Sequence, residues 1–173
     1  MDDDATLVAR ACEGERAAFA TLVGRHYDLM FRVAWRFCGR REDAEDVAQD
    51  VCVRLPSAFP KWSGRGRFES WLCSIVVNAV RDRQRKLAAE RRHHEAFARE
   101  PRPEPQDEEG PLAEMWAAVR ALPDKQREAV TLVHGEGLSH AEAGVAMDCA
   151  ETTVSYHIHA ARKRLREMLK EEA

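Results

Sequence analysis

The residues with the clearest chemical potential are five acids between positions 42 and 50: Glu42, Asp43, Glu45, Asp46 and Asp50. Paired carboxylates can perform general acid–base catalysis or bind Mg²⁺, but no histidine or nucleophile accompanies these. Consecutive acids on one helix are more simply explained as a surface that docks on a basic protein. The sequence therefore predicts a protein-docking face rather than a catalytic centre.

The cysteines and histidines do not form a recognisable metal site. Five cysteines (Cys12, Cys38, Cys52, Cys73 and Cys149) are scattered without a CxxC pair, as expected of small buried hydrophobes in a reducing compartment. Neither His93 and His94 nor His157 and His159 has cysteine or carboxylate partners at zinc spacing. No Gly-rich phosphate loop or nucleophile elbow is present either. We expect no catalytic residue, no metal and no cofactor, and hence not an enzyme.

Charge is distributed unevenly along the 173 residues, although the net charge is only −3. Residues 1–60 carry −3, residues 61–99 carry +6, residues 100–150 carry −7 and residues 151–173 carry +1. Two basic segments separated by an acidic one predict two separate contacts with a polyanion.

Composition and local pattern favour small helical domains in the cytoplasm. Charged residues make up 33% of the chain and aromatic residues only 7%, which is unlike a β-sandwich. No run approaches the roughly 18 apolar residues of a membrane span, so we expect no membrane insertion. The acidic start of the chain is unlike a secretory signal.

A Pro-rich acidic stretch divides the chain. Four prolines and a glycine stand among acids between residues 101 and 111, where they can neither continue a helix nor fill a core. We expect an all-α protein of two small helical bundles, residues 1–90 and 112–173, joined by a flexible linker over residues 91–111.

Apolar spacing predicts three long helices in the first piece. The first buries a broad face from Phe19 to Phe37 and ends at Gly39. The second carries the acids, buries Ala44 to Leu55, and is stopped by Pro56. The third begins near Phe68 after a loop rich in Pro, Gly and Ser. Its inward positions are Trp71, Leu72, Ile75, Val76 and Ala79.

The second piece has the pattern of a helix-turn-helix. Two helices, Leu112–Leu122 and about 123–133, precede Ser139 and Glu142, which read as a capping box. A short helix, a turn at 147–149 and a last helix follow, with Val154, Ile158, Ala161 and Leu165 on one side. A plain helical hairpin remains the alternative.

Two stretches resemble the bacterial extracytoplasmic-function (ECF) sigma factors. Residues 19–86 resemble sigma domain 2 through the runs at 41–50, 66–72 and 78–82. Residues 121–169 resemble sigma domain 4 through the runs at 121–123, 126–128, 136–139 and 153–154. Both matches occur in order and at this spacing, which makes the resemblance specific. It implies a subunit that binds core RNA polymerase and directs promoter-specific transcription initiation.

The resemblance also implies roles for particular residues. The face that docks on the β′ clamp helices comprises Asp43, Glu45, Asp46, Gln49 and Asp50. The residues that read and hold the −10 element are Lys61, Arg65, Arg67, Asn78, Arg81 and Arg85. Trp62 and Phe68 could stack on bases, although Phe68 and Trp71 are better explained as core. The residues that contact the −35 duplex are Thr152, Thr153, Ser155, Tyr156, His157, His159, Arg162 and Lys163.

The chain departs from the family pattern in its −35 reader. Ser155 and His157 stand where relatives usually carry basic residues, and Ala150 replaces the usual Ser or Thr cap. We therefore expect weaker phosphate anchoring and a −35 preference that is not inherited from relatives. Other implied partners are the β flap of the polymerase, promoter DNA and an anti-sigma factor.

Two other functions are compatible with parts of the sequence. A sigma-like decoy or adaptor would bind an anti-sigma factor but not DNA, and the basic segment 61–86 argues against it. A stand-alone helix-turn-helix repressor would use only residues 112–173, leaving the first piece unexplained, and would bind palindromic operators as a dimer.

Overall fold

All the regular secondary structure that can be described is helical, which confirms the predicted all-α class. The structure, a computed structural model, describes residues 2–94 and 110–171, with no strand in either range. The helices are α1 Asp4–Cys12, α2 Arg16–Cys38, α3 Arg41–Ala58, α4 Phe68–His94, α5 Pro111–Arg120, α6 Asp124–Val130, α7 His140–Met147 and α8 Glu151–Glu171. A 3₁₀ turn, Phe59–Lys61, follows α3, and a π-helical turn, Thr131–Gly135, follows α6. Most of the predicted linker, residues 95–109, lies outside the described residues.

The N-terminal bundle is built around α2, which packs against α1, α3 and α4. Leu22, Met30 and Val33 on α2 are buried, as their three- and four-residue spacing requires. Gly39 ends the helix, as predicted, with φ of 67° and with its N–H donating to the Trp35 carbonyl at 2.8 Å. A left-handed residue at this position costs glycine little and other residues more.

Two features of this bundle differ from the sequence-based expectations. No element was predicted over residues 4–12, where α1 is capped by Asp3, whose carboxylate accepts the Thr6 N–H at 2.8 Å. The prediction that Pro56 stops α3 is wrong, because the helix continues to Ala58. Proline has a helix-compatible φ and removes a single N–H, which a helix tolerates best near its ends.

Helix α4 buries a different set of residues from the one predicted. Trp71 and Ile75 are only half-buried, whereas Cys73, Val77 and Val80 are fully buried. The cause is that α4 lies between two layers, with α2 and α3 on one side and α7 on the other. The interpretation of cysteines as buried hydrophobes holds for Cys73, where burial raises the thiol pKa to about 12, but not for the exposed Cys12.

The C-terminal bundle contains the predicted helix-turn-helix, formed by α7 and α8. Val154, Ile158 and Ala161 of α8 are buried, as predicted, whereas Leu165, the last member of the predicted stripe, is only half-buried. The expected extension of α6 through residue 133 is replaced by the π-helical turn. Asp148, with φ of 55°, makes the tight turn between α7 and α8.

The helix-turn-helix depends on two local devices. The capping box is confirmed: Ser139 Oγ accepts the Glu142 N–H at 3.1 Å, and Glu142 Oε2 accepts the Ser139 N–H at 2.8 Å. Gly144 allows the close approach of α7 to the turn, because a Cβ there would lie 2.8 Å from the Cys149 carbonyl oxygen.

The two bundles pack directly on each other. Helix α7 lies on α4, while α5 and the π-helical turn contact α2. Among the described residues, no helix combines the length and hydrophobicity needed to cross a bilayer.

Replacing Gly144 by alanine should lower the free energy of unfolding by about 1–3 kcal/mol, because the new methyl overlaps backbone that cannot easily move. Gly24→Ala is the matched control: Gly24 is helical, exposed and has open space at its Cβ position. That change should stabilise the chain by about 0.5–1 kcal/mol. Urea unfolding of the full chain measures both, and equal effects of the two substitutions would contradict the close approach.

The Glu142 cap should give stability a measurable pH dependence. The Ser139 backbone N–H and, next, the Ser70 hydroxyl lower the pKa of Glu142 below its usual value. Its contribution is therefore complete above the unfolded-state pKa and is lost as pH falls through the folded one. Glu142→Gln should cost about 1 kcal/mol at pH 7 and flatten the fall in stability between about pH 5 and pH 3. Glu114→Gln, an exposed change on α5, should leave the slope as in the unmodified chain.

Candidate nucleic-acid interface

The loop before α4 presents three of the predicted −10 residues to solvent. Lys61 ends the 3₁₀ turn, Arg65 and Arg67 follow, and all three are exposed. Gly64 and Gly66 have φ of 71° and 75°, and no atom would lie within 4 Å of a Cβ added at either. The loop backbone is therefore open to close approach by a ligand.

An aromatic cluster anchors this loop at both ends. Phe59 and Phe68 are buried on either side of it. Trp62 meets the Phe68 ring edge-on at 5.3 Å, and Trp71 lies 5.4 Å from Phe68. Trp62 and Trp71 are half-buried in this cluster, so the aromatic residues near the loop are engaged in packing.

The predicted −10 residues on α4 point in different directions. Asn78 is exposed and accepts a hydrogen bond from Arg81 Nη1 at 3.2 Å. Arg85 is exposed and paired with Asp82 at 2.8 Å. Arg81 instead turns towards the C-terminal bundle, where its Nε donates to Glu128 Oε1 at 2.7 Å. This hydrogen bond raises the pKa of Arg81 above its usual value.

The predicted −35 residues lie on one open face of α8. Thr152, Ser155, Tyr156 and His159 are exposed, with Thr153 and His157 half-buried at its margins. Arg162 and Lys163 are exposed one to two turns further along. This face is polar near the start of the helix and cationic beyond it.

Local contacts explain how the unusual residues of this helix are accommodated. The Ala150 carbonyl accepts the Thr153 N–H at 2.9 Å, but its methyl side chain cannot cap the helix. The Ser155 hydroxyl donates to the Glu151 carbonyl at 3.2 Å and lies 2.8 Å from His140 Nδ1. Ser155 is thus tied into the helix-turn-helix, whereas Tyr156 and His159 stay exposed.

The acidic face of α3 is less uniform than its sequence suggests. Asp43 has a side chain only 18% exposed and pairs with Arg83 of α4 at 2.5 Å. Glu45 is half-buried and pairs with Arg41 at 2.9 Å. Asp46, Gln49 and Asp50 are the exposed members of the predicted face, and Asp46 also pairs with Arg83 at 3.2 Å.

Sequence reasoning missed an apolar residue on this face. Val53, three residues after Asp50, is 80% exposed. Helical spacing puts it beside Asp46, Gln49 and Asp50. A valine on the same helical face as these polar residues could have been recognised from the sequence. Val53 therefore adds an exposed apolar group to a face that is otherwise charged and polar.

A second missed group connects three helices beneath the loop. Ligand atoms of Asp4, His26 and Glu69, from α1, α2 and α4, lie within 4.8 Å of one another. The buried His26 places Nε2 2.9 Å from Asp4 Oδ2, while Arg25 Nη1 pairs with Asp4 Oδ1 at 2.5 Å. Since the guanidinium already neutralises Asp4, we interpret this group as an ion-paired tether that holds α1 on the bundle.

Comparison with known proteins identifies both halves of the chain. Residues 22–90 match the family model described as Sigma-70 region 2, and residues 112–165 match Sigma-70, region 4. The chain is 34% identical over 166 residues to the ECF RNA polymerase sigma factor SigE of Mycolicibacterium smegmatis, covering 90% of this chain and 64% of that protein. It is 33% identical to the ECF RNA polymerase sigma factor SigM of Mycobacterium tuberculosis, covering 96% of this chain and 84% of that protein.

Solved structures agree with these matches. CnrH, in complex with the cytosolic domain of CnrY, superposes with a TM-score of 0.73 at 27% identity, covering 99% of this chain and all of that one. The sigma factor RpoE of Bartonella quintana, in complex with the anti-sigma factor NepR, also gives a TM-score of 0.73, at 24% identity over 88% of this chain and 96% of that one. With two sigma-70 regions matched in order and close curated relatives across most of its length, the chain belongs to the ECF group of RNA polymerase sigma factors.

Proposed function

We propose that this sigma factor binds core RNA polymerase and directs promoter-specific initiation by reading the −35 element as duplex and the −10 element as single strand. The observation that carries the proposal is the open polar face of α8 over a buried apolar stripe within a helix-turn-helix. In the proposed division of labour, residues 1–90 bind polymerase and the −10 element, residues 91–111 link, and residues 112–173 bind the −35 element.

Tyr156 and His159 are the proposed centre of the −35 contact. Tyr156 is 68% exposed and His159 is exposed three residues later, so both can enter the major groove with α8. Arg162 and Lys163 lie further along and would neutralise phosphates, which position the helix without reading sequence. Thr152, Thr153, Ser155 and His157 flank this contact.

The loop and α4 together support the proposed −10 contact. Lys61, Arg65 and Arg67 supply positive charge beside an open glycine backbone, which suits a single strand of phosphates. Asn78 offers an exposed amide that can both donate to and accept from a base edge. Arg85 is exposed on the same helix, and Arg81 would join this surface only on release from Glu128.

The acidic face of α3 supports docking on the β′ clamp helices. Asp46, Gln49 and Asp50 surround the exposed Val53, so a basic partner with a small apolar pocket would be complementary. Asp43 and Glu45, which are half-buried and ion-paired, add negative charge next to this face. We propose that the C-terminal domain binds the β flap of the polymerase.

An anti-sigma factor is the remaining proposed partner, and all these partners place the protein in the cytoplasm. A cleft of about 1050 Å³ lies between α4 and α5–α6, with Phe37 and Leu87 among its apolar residues and Arg85, Arg91 and Lys125 among its cations. A cleft of this character suits an amphipathic, acidic segment. The proposed role is regulatory rather than enzymatic.

Tyr156→Ala should reduce −35-dependent transcription about tenfold, since one lost base contact is worth about 1–3 kcal/mol. The assay combines purified protein and core polymerase on a promoter found by mapping transcript starts after overexpression. Glu167→Ala is the control, because Glu167 is exposed on α8 about three turns beyond Tyr156. This variant should support normal transcription. The absence of promoter-specific transcripts with the unmodified protein would overturn the proposed function. Polymerase binding without transcripts would favour the adaptor alternative.

Asp50→Lys and Val53→Asp should each weaken binding to core polymerase by about tenfold or more. Asp50→Lys reverses a charge that would face the basic partner, and Val53→Asp places a charge where an apolar side chain would be buried. Glu13→Lys reverses an exposed acid outside α3 and should bind as the unmodified chain does. Fluorescence anisotropy at low and high salt measures the affinities. Binding that is unaffected by either change would remove α3 from the interface.

A further inference from the structure

One side chain of α7 reaches the proposed −35 surface, although it is not among the residues that the sequence predicts to contact DNA. His140 is the first residue of α7, and its ring Nδ1 lies 2.8 Å from the hydroxyl oxygen of Ser155 on α8. The same hydroxyl lies 3.2 Å from the Glu151 carbonyl oxygen, one turn earlier in α8. Ser155 is exposed and His140 is half-buried, so the hydroxyl is open to a ligand while the imidazole lies beside it.

The surroundings of both residues hold this contact in place. Ser139, immediately before His140, is the N-cap of α7 and forms the capping box with Glu142. On α8, Val154 is fully buried next to Ser155, and Gly144 lets α7 approach the turn that precedes α8. The distance between His140 and Ser155 is therefore set by packed backbone and by two short side chains.

A second observation places His140 near the cationic part of this surface. The pKa of His134, in the π-helical turn, lies below its usual value, first because of lost hydration and next because Arg162 and His140 are close to it. His134, His140 and Arg162 are thus electrostatic neighbours. Since Arg162 is a proposed phosphate contact, His140 and Ser155 lie where DNA would bind.

The hydroxyl of Ser155 has a single hydrogen and two acceptor positions. If His140 Nδ1 carries a proton, it donates to Ser155 Oγ, and the Ser155 hydrogen is donated to the Glu151 carbonyl. If Nδ1 carries no proton, it accepts the Ser155 hydrogen itself. In both cases the hydrogen is used within the protein, and at least one acceptor position is left for a ligand.

We infer that His140 determines base preference in the −35 element by keeping Ser155 as a hydrogen-bond acceptor only. The inference rests on the proposed function, in which Ser155 flanks the central −35 contact. In the major groove the amino groups of cytosine and adenine donate, whereas O6 of guanine and O4 of thymine accept. Ser155 therefore selects cytosine or adenine at the position that it faces.

His140 is a positioning residue in this arrangement, because it acts through Ser155. A serine without such a neighbour can turn its hydrogen towards DNA and can bond to either kind of base edge. The bond from Ser155 to the Glu151 carbonyl is long and would not by itself prevent this rotation. Removing the imidazole should therefore relax the base preference without removing the hydroxyl.

The test measures transcription by the holoenzyme, formed from purified protein and core polymerase, on a mapped promoter and on every single-base change in its −35 element. We expect the unmodified protein to favour cytosine or adenine over guanine or thymine about five- to tenfold at one position. Ser155→Ala should abolish this preference and so identify the position. His140→Ala should reduce the ratio there to about twofold or less, and preferences at the other positions should not change.

His140→Asn is the rescue variant, because an asparagine side chain offers a donor and an acceptor near the position of Nδ1, and it should keep the preference. Val145→Ala is the matched control: Val145 is on the same helix and 79% exposed, and its replacement should leave the whole profile unchanged. Circular dichroism and thermal unfolding establish that each variant is folded. His140→Leu, which keeps the bulk of the side chain without a polar atom, repeats the test if His140→Ala does not fold.

A His140→Ala profile identical to that of the unmodified protein would overturn the inference. So would a loss of transcription that is equal for all −35 sequences, since it would indicate a structural role alone, or a preference for guanine or thymine at the Ser155 position. If the unmodified protein gives no promoter-specific transcripts, the proposed function falls and this inference falls with it. Specific initiation with a base preference that does not depend on His140 removes the inference and leaves the proposed function in place.

Discussion

The structure depends on covering the broad apolar surface of α4. Leu72, Val76 and Ala79 follow one line along this helix, and Cys73, Val77 and Val80 follow the next, so the buried arc is wider than the stripe of a helix packed on one side only. The N-terminal bundle covers one line through α2 and α3. Helix α7, from the other half of the chain, lies on the same helix and completes its burial. Leaving one side open would expose apolar area to water, and this favours docking of the two bundles.

Charge then specifies how the bundles dock. A purely apolar contact would tolerate sliding, whereas Glu128 and Glu136 are buried and each must meet its arginines. The result is a contact in which apolar area supplies attraction and ion pairs supply position. Arg81, which the sequence predicts to contact DNA, takes part in this contact instead, because a guanidinium is suited to a carboxylate as well as to a phosphate.

The two surfaces proposed to contact DNA are positioned in different ways. The loop that carries Arg65 and Arg67 has an open backbone, but Phe59 and Phe68 anchor its ends in the core. Helix α8 is positioned as a rigid element by its buried stripe and by the Gly144 crossing. Ala150 and Ser155 of this motif both take part in hydrogen bonds with the helix backbone. Loops adapt to an extruded strand, and rigid helices fit a regular groove.

Much of this organisation could be predicted from sequence, because it depends on local rules. The all-α class, the Gly39 end of α2, the Ser139–Glu142 capping box and the Val154–Ile158–Ala161 stripe all reflect residues within a few positions of one another. The exposed faces of α3 and α8 follow from the same periodicity. Helix α1 was missed although its Asp3 cap is equally local.

What only the tertiary structure decided is which of those residues meet across the chain. Periodicity assigned one stripe of α4 to the core, but the burial of Cys73 and Val77 depends on a second domain packing there. Nothing in the sequence distinguishes Asp43 and Arg81 from the exposed charged residues near them. In the structure each is paired with a residue forty or more positions away. Local sequence determines helices and their faces because backbone and side-chain preferences act over a turn or two. The partners of those faces are selected by long-range packing and by the need to neutralise buried charge, and neither is encoded in spacing.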